Sequence, residues 1–347
     1  MIDDSVVVAN ILNALMDFYH NAEWKANPVL SIFAAVGGLW AFRQALGFAN
    51  FCRIYLYRGN TLSRYIRSSS NRDQIWALIT GASDGIGKGF AQELCSRGIN
   101  VVLHGRNSQK LQTVQTELLN RYPNIQIRLL ILDANTDVSN TTALDLINKS
   151  VADIPLRILI NNVGSTPTPL WSPLIHRSLS DITHLINTNA LFPTEITRLL
   201  LPHLTLHQPS LILNVGSGAS DFSCPYISVL AGTKSYTQTW SRSLNLELRA
   251  ENTNIEVLHL QVGMVQSNSA RRETSFLVPS SRALARSALD VVGCGREAAW
   301  PYWPHALQFG LIGALPVWVR NRIILGIAAG ERKLEQEELS AVQGGKE

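Results

Sequence analysis

The sequence predicts an α/β fold: a doubly wound parallel sheet, with an N-terminal membrane-anchor helix before it and an apolar helical C-terminal extension after it. Three observations support this prediction. Short apolar runs alternate with helical runs between residues 75 and 262, a glycine-rich turn follows the first run, and a long, nearly uncharged segment lies near the N-terminus. Apolar strands that alternate with helices form parallel sheets covered on both faces.

The predicted strands are six apolar runs, each followed by a turn or a helical run. They span residues 75–80, 100–105, 125–132, 157–164, 210–217 and 255–262. The helical runs between and after them include residues 87–97, 108–121, 228–250 and 283–292. This regular alternation indicates a sheet of the Rossmann type.

The N-terminal segment 29–51 is long enough to cross a bilayer, because a spanning helix needs about 20 mostly apolar residues. Its charged residue, Arg43, lies in the second half, from where a long side chain can reach an interface. The acidic stretch before the segment disfavours a secretory signal peptide. A buried or membrane-surface helix is the alternative to an anchor.

Basic residues are distributed unevenly around this segment. Lys25 precedes it, whereas a series of arginines follows it: Arg53, Arg58, Arg64, Arg67 and Arg72. Because basic residues accumulate on the cytoplasmic side of a membrane helix, the main domain is expected to face the cytosol.

Three regions are therefore predicted: an N-terminal segment with its anchor (1–71), the α/β domain (72–275) and a C-terminal extension (276–347). The extension is aromatic, apolar and interrupted by prolines between residues 300 and 327. We interpret it as a substrate lid that also contacts the membrane. An ordinary helical extension packed on the sheet is the alternative, and the prolines with Arg320 disfavour a second membrane span.

The composition excludes several classes of protein. Hydrophobic residues make up 46% and charged residues 16% of the 347 residues, whereas soluble proteins have about 25% charged residues. The net charge of +4 is carried by scattered basic residues, so nucleic acid is not expected as a partner. The four cysteines are far apart and fit a reducing compartment, and no metal-binding spacing is present.

Residues 80–87, TGASDGIG, follow the first predicted strand and open a helix. Glycines allow a tight turn and a close approach to a pyrophosphate, which the positive end of the helix attracts. An NAD site places an acidic residue at the end of the second strand, where this chain has His104, Gly105 and Arg106. Arg106 can pair with a 2′-phosphate, so the sequence favours NADP(H).

Together with further motifs, this turn makes the chain resemble the short-chain dehydrogenase/reductase family over about residues 72–335. Within that family it is similar to the membrane-bound branch of very-long-chain 3-oxoacyl-CoA reductases and 17β-hydroxysteroid dehydrogenases. The matching positions outside the turn are Asn161, Asn162, Val163 and Gly164, then Asp133, Asn189, Ser217 and Lys234.

The resemblance implies roles for these residues. Asn189, Ser217 and Lys234 are expected at the catalytic centre, where the serine holds the substrate carbonyl and the lysine binds the nicotinamide ribose. The expected cofactor-binding residues are Gly81, Ser83, Asp84, Gly85, Ile86, Gly87, Arg106, Asp133, Asn161, Asn162, Gly164, Lys234, Gly263 and Val265. The resemblance also implies the endoplasmic reticulum membrane, and a homodimer formed through the run 228–250.

The chain departs from the family at two positions. Leu230 stands where the family has the tyrosine that donates a proton, four residues before Lys234. Ser217, a water bound to Lys234 or the nearby Tyr226 could act in its place, and Tyr226 is predicted on the loop that enters the long helix. Val262 replaces the proline before Gly263, which is expected to loosen the turn that frames the nicotinamide.

Two functions from different classes follow. The first is a membrane-anchored NADP(H)-dependent oxidoreductase that acts on a small lipophilic ketone or alcohol, such as an acyl thioester, a steroid or a terpenoid/polyketide intermediate of lipid or secondary metabolism. The second is a catalytically degenerate or non-redox protein that retains the cofactor fold, which Leu230 and Val262 favour. A purely structural membrane protein would have no use for an intact glycine turn.

Overall fold

The computed structural model describes residue 13 and residues 28–56, 61–67, 75–135, 141–267 and 273–344. Two compact units are present, Met1–Arg58 and Gly59–Glu347. Lys25, Arg58, Arg72 and the predicted boundary between residues 71 and 72 lie outside the described residues. The predicted boundary between residues 275 and 276 stays a prediction.

The first unit contains one long helix, α1 (Pro28–Tyr55). Its stretch Val29–Tyr55 has 27 residues and contains an 18-residue window with a mean hydropathy of 1.5, so by length and composition it suffices to cross a membrane. Large apolar side chains such as Phe33 and Trp40 are exposed on it. The predicted anchor segment, 29–51, lies within this helix.

The second unit is built on a parallel sheet, which confirms the predicted fold class. Among the described residues the sheet has seven strands in the order β3-β2-β1-β4-β5-β6-β7, the doubly wound arrangement. The strands are β1 (Trp76–Ile79), β2 (Asn100–Gly105), β3 (Ile127–Ile131), β4 (Leu156–Asn161), β5 (Ser210–Val215), β6 (Ile255–Leu260) and β7 (Ala298–Ala299).

Helices cover both faces of the sheet and extend beyond it. They are α2 (Ser63–Arg67), α3 (Gly85–Ser96), α4 (Ser108–Arg121), α5 (Thr141–Val151), α6 (Leu179–Ile186), α7 (Phe192–Leu206), α8 (Ser228–Ala250), α9 (Ser281–Asp290), α10 (Trp303–Ala314) and α11 (Val317–Gly344). A π-helical turn, Asn187–Leu191, joins α6 to α7.

The core forms because the strands are apolar on both faces and the helices on one. Every residue of β1, β2, β4 and β5 is buried. Helix α4 buries Leu111, Val114 and Leu118, which recur at the spacing of one helical face. Its first turn is capped by Asn107, whose side chain accepts a hydrogen bond from the N–H of Lys110 at 2.9 Å.

All strands run in the same direction, so their carboxyl ends lie along one edge of the sheet. The segments that leave this edge include residues 80–85 after β1, 106–107 after β2, 162–165 after β4 and 216–217 after β5. In doubly wound sheets ligands bind outside this edge. The fold therefore brings the predicted site segments together.

Candidate active site

The glycine turn between β1 and α3 has the backbone conformation that its sequence predicts. Gly81 and Gly85 adopt positive φ values of 67° and 53°, which glycine tolerates without strain. A side-chain atom on Gly87 would lie 2.2 Å from the carbonyl oxygen of Gly81, so the closeness of turn and helix requires glycine there. Asp84 caps α3 by accepting a hydrogen bond from the N–H of Gly85 at 2.7 Å.

A cleft of about 520 Å³ extends from this turn along the edge of the sheet. It joins the predicted cofactor residues to the predicted catalytic ones in a continuous space. The predicted positions that line it are Gly81, Ser83, Asp84, Gly85, Ile86, Arg106, Asp133, Asn162, Gly164, Asn189, Ser217, Leu230 and Lys234.

Four predicted cofactor-binding residues do not line this cleft: Gly87, Asn161, Gly263 and Val265. Asn161 points into the core instead, because it ends β4 on the face that packs against α7. Its amide donates hydrogen bonds of 2.8 Å to Thr197 and to Asn214 on the neighbouring strand. Asn161 thus joins strand to helix. The next residue, Asn162, lines the cleft instead, and its amide donates a hydrogen bond to the carbonyl of Thr80 at 3.0 Å.

Lys234 extends from α8 into the cleft. Its ammonium group donates to the carbonyl oxygen of Val215 at 3.3 Å, which places it beside Ser217 on the loop after β5. Burial of the charged group lowers the pKa of Lys234 to about 8, since a low dielectric disfavours the ammonium form. The amine therefore titrates close to physiological pH.

Asn189 lies in the π-helical turn, a distortion that often marks functional sites. Its side chain holds the backbone of Ser165 on both sides: Asn189 Oδ1 accepts from the Ser165 N–H at 2.9 Å and Nδ2 donates to the Ser165 carbonyl at 3.1 Å. The main-chain carbonyl of Asn189 accepts from the hydroxyl of Thr237 at 3.3 Å. Asn189 therefore fixes the backbone of the loop after β4.

Leu230 and Ser217 lie where the catalytic centre was predicted. Ser217 starts a 3₁₀ turn and its hydroxyl accepts from the N–H of Ala219 at 3.2 Å. Leu230 lines the main cleft and also a small neighbouring cavity. A leucine side chain offers no proton to either space.

Tyr226 lies on the loop that enters α8, as predicted, but it lines the small cavity and not the cleft. Its backbone has a positive φ of 69°. The guanidinium of Arg332 from α11 stands 4.7 Å from the centre of its ring, a cation–π contact. Tyr226 is thus directed toward the C-terminal helix, away from Lys234.

The turn after β6 is held firmly although the expected proline is absent. His305 of α10 is fully buried, and its Nδ1 accepts from the N–H of Gly263 at 3.2 Å while Nε2 donates to the carbonyl of Leu277 at 3.0 Å. Burial lowers the pKa of His305, consistent with this neutral form. A side-chain atom on Gly263 would lie 2.9 Å from the ring, so the imidazole packs on bare backbone.

The end of the cleft beside β2 and β3 carries a basic and an acidic side chain. Arg106 is exposed at the end of β2, and Asp133 follows β3 on the adjacent strand. Two buried atoms along the cleft, His104 Nε2 and Thr188 Oγ1, have no hydrogen-bond partner among the described residues. Burial lowers the pKa of His104 to about 4, so its ring is neutral.

The C-terminal helix α11 is bonded to the loop after β4. Glu335 accepts hydrogen bonds from the backbone N–H groups of Leu170 and Trp171 at 2.6 and 2.8 Å. This contact fastens α11 to the loop that follows β4. The helix also carries exposed apolar residues, including Trp318 and Leu325.

Comparison with known proteins identifies this arrangement. The family profile described as short chain dehydrogenase matches residues 75–276. The chain belongs to the short-chain dehydrogenase family. It is therefore an oxidoreductase by family, and membership of this family supports a nicotinamide cofactor.

Curated relatives of this short-chain dehydrogenase carry a common name. The "very-long-chain 3-oxoacyl-CoA reductase" of Pyricularia oryzae is 30% identical over 86% of this chain and 86% of its own length. The protein of the same name from Aspergillus terreus is 31% identical over 82% of this chain and 80% of its own.

Solved structures share the fold. A 7β-hydroxysteroid dehydrogenase matches with a TM-score of 0.63 and 15% identity, covering 73% of this chain and 96% of its own. A short-chain dehydrogenase from Sphingobium yanoikuyae in complex with NADPH matches with a TM-score of 0.56 and 23% identity, covering 70% and 96%.

Sequence reasoning missed three side chains around the cleft: His184, Ser165 and His305. His184 precedes Asn189 by five residues on a predicted helix, and Ser165 follows the asparagine-rich turn. Both positions were visible in the sequence, but nothing indicated that they meet. His305 lies in the aromatic extension, where no periodic signal singles it out.

Proposed function

We propose that this short-chain dehydrogenase is a membrane-anchored, NADP(H)-dependent reductase of an apolar ketone. The observation that carries the proposal is the continuous cleft that joins the glycine turn and Arg106 to Ser217 and Lys234. The names of the curated relatives favour a long-chain 3-oxoacyl thioester as the substrate. Steroids and terpenoid/polyketide intermediates also carry a ketone on an apolar skeleton, and they are the alternative substrates.

The chain's own residues fit the cofactor, which would supply the hydride. The N-terminal turn of α3 offers backbone N–H groups to the pyrophosphate. Arg106 would pair with the 2′-phosphate, and the end of β2 carries no carboxylate to repel it. Asp133 would contact the adenine and Lys234 the nicotinamide ribose. NADPH in a structure of the same fold supports this assignment.

The predicted location follows from α1 and the charges around it. A helix long enough to cross the bilayer precedes Arg64 and Arg67, which favours a cytosolic main domain. Relatives named for very-long-chain substrates support the endoplasmic reticulum membrane. A homodimer through α8 remains a prediction, to be checked by light scattering in detergent.

The test uses the full chain in detergent micelles. NADPH and NADH are titrated by fluorescence, and turnover is then followed with a long-chain 3-oxoacyl-CoA, a steroid ketone and a terpenoid ketone. We expect NADPH to bind at least tenfold more tightly than NADH, and measurable reduction of the thioester. NADPH binding without turnover of any ketone would contradict the reductase.

The second candidate function is a non-redox protein that keeps the fold, and Leu230 in the cleft favours it. Lys234→Ala separates the two candidates in cells that depend on the protein. A reductase loses its cellular activity in this variant, whereas a scaffold or binding protein keeps it. Leu230→Tyr gives the reverse check, because a dormant reductase should gain turnover.

A further inference from the structure

A serine and a histidine form a hydrogen-bonded pair inside the cleft. Ser165 Oγ and His184 Nε2 are 2.7 Å apart. Ser165 belongs to the loop after β4, and His184 to the last turn of α6. Both line the cleft together with Leu230, Ser217 and Lys234. The pair therefore shares the cleft with Leu230, which stands at the position of the family tyrosine and offers no proton.

The hydroxyl of Ser165 is held in place from several sides. Asn189 bonds both the N–H and the carbonyl of Ser165, so its backbone cannot rotate freely. The preceding residue, Gly164, faces the lysine: a side-chain atom on it would lie 3.6 Å from Lys234 Nζ and 3.2 Å from Asn189 Oδ1. Ser165 is therefore fixed next to the group that binds the nicotinamide ribose in the proposed function.

We propose that His184, acting through Ser165, delivers the proton that the missing tyrosine would supply. This inference rests on the proposed reductase function. The ketone carbon accepts a hydride, which brings two electrons, and its oxygen accepts the hydroxyl proton of Ser165. Ser165 recovers a proton from the Nε2–H of His184, and the imidazole regains a proton from solvent. The ketone becomes a secondary alcohol, and NADPH becomes NADP⁺.

The pair could also be only a link between α6 and the loop after β4. Such a link would alter folding or substrate affinity, and a tyrosine at another position could not replace it. Proton delivery makes a different prediction: the loss should fall on kcat, and a second proton donor placed at residue 230 should restore it. The two roles are therefore separable by rescue.

The experiment measures NADPH-dependent reduction of a long-chain 3-oxoacyl-CoA by the full chain in micelles. In His184→Gln and Ser165→Ala we expect kcat to fall about 100-fold, the scale of general acid catalysis, with KM and NADPH affinity within about twofold. Adding Leu230→Tyr to His184→Gln should restore at least a tenth of the wild-type kcat. His203→Gln, which removes an imidazole from the far end of α7, is the matched control.

A second rescue uses His184→Ala with free imidazole, which should raise kcat in proportion to its concentration. Unchanged kcat in His184→Gln overturns the proposal, and so does the failure of both rescues. A wild-type enzyme that binds NADPH but reduces no ketone overturns the reductase function and the proton route together. Loss confined to the Ser165 and His184 variants, with rescue, supports both.

Discussion

Replacing Lys234 by methionine should stabilise the protein while removing its activity. The ammonium group donates a hydrogen bond to the carbonyl of Val215 and lies in the cleft, where desolvation disfavours its charge. Methionine has nearly the same length and no charge. The substitution therefore removes the burial of a charge without leaving a large cavity.

The size of the effect follows from the pKa of Lys234, which burial lowers from 10.5 to about 8. Since one pKa unit corresponds to about 1.4 kcal/mol, the charged lysine destabilises the folded state by about 3 kcal/mol at pH 7. The lost hydrogen bond offsets about 1 kcal/mol of this. We expect Lys234→Met to raise the free energy of unfolding by about 2 kcal/mol.

The dependence on pH has a definite sign. Between pH 8 and pH 10.5 the unfolded chain binds more protons at this lysine than the folded chain, so wild-type stability rises with pH. The advantage of Lys234→Met is therefore full below pH 8 and disappears by pH 10.5. No other effect of the substitution is expected to depend on pH between 8 and 10.5.

The assay is thermal unfolding of the cofactor-free full chain in micelles at pH 7, 9 and 10.5. At pH 7 the melting temperature of Lys234→Met should exceed that of the wild type by about 4 °C. Lys149→Met, at an exposed helix end, is the matched control, and its melting temperature should show no gain that disappears between pH 8 and pH 10.5. A variant less stable than the wild type at pH 7, or an advantage that persists at pH 10.5, would refute the reasoning.

Three further predictions concern Arg106, the turn after β6 and the contact of α11 with the loop after β4. Arg106→Asp should weaken NADPH binding at least tenfold in a fluorescence titration and NADH binding less than threefold; equal losses would contradict a 2′-phosphate contact. Gly263→Ala should destabilise the chain by about 2 kcal/mol in thermal unfolding, because the methyl group meets the His305 ring, and unchanged stability would contradict this packing. Glu335→Ala should speed hydrogen exchange at Leu170 at least tenfold, since its N–H loses a charged acceptor; unchanged exchange would mean that another group holds the loop.

The sheet and the glycine turn could be predicted because their signals are local. Apolar runs of strand length and a turn rich in glycine depend on neighbours in sequence, and the structure has both where the sequence placed them. The position of Lys234 in the cleft was also predictable, since its spacing from Ser217 is a family pattern. Periodicity and motif were sufficient for these features.

The direction of individual side chains was less predictable. Asn161 and Asn162 are adjacent, yet one bonds within the core and the other lines the cleft, because successive residues at a strand end face opposite sides. Tyr226 was a reasonable substitute acid by spacing. A positive φ and the contact with Arg332 turn it toward the C-terminal helix, and neither is visible in a short motif.

Contacts between distant segments account for the rest. His305 stabilises the turn at Gly263 from a helix 42 residues away. The absence of the proline suggested a loose turn, but this tertiary contact offsets its loss. Likewise Ser165, on the loop after β4, and His184, in α6, are 19 residues apart in sequence and meet only in the folded chain. The spacing of two residues in the sequence does not predict such long-range contacts unless the fold is known.

The imidazole of His305 has a consequence for how this enzyme can diversify. The C-terminal extension, which we predict to be a substrate lid, carries this side chain, and the side chain braces the turn after β6. Mutations that adapt the C-terminal extension to a new substrate must therefore preserve the hydrogen bond from Gly263 to His305 or replace it with another contact. Substrate specificity and the geometry of this turn are thus expected to change together in evolution.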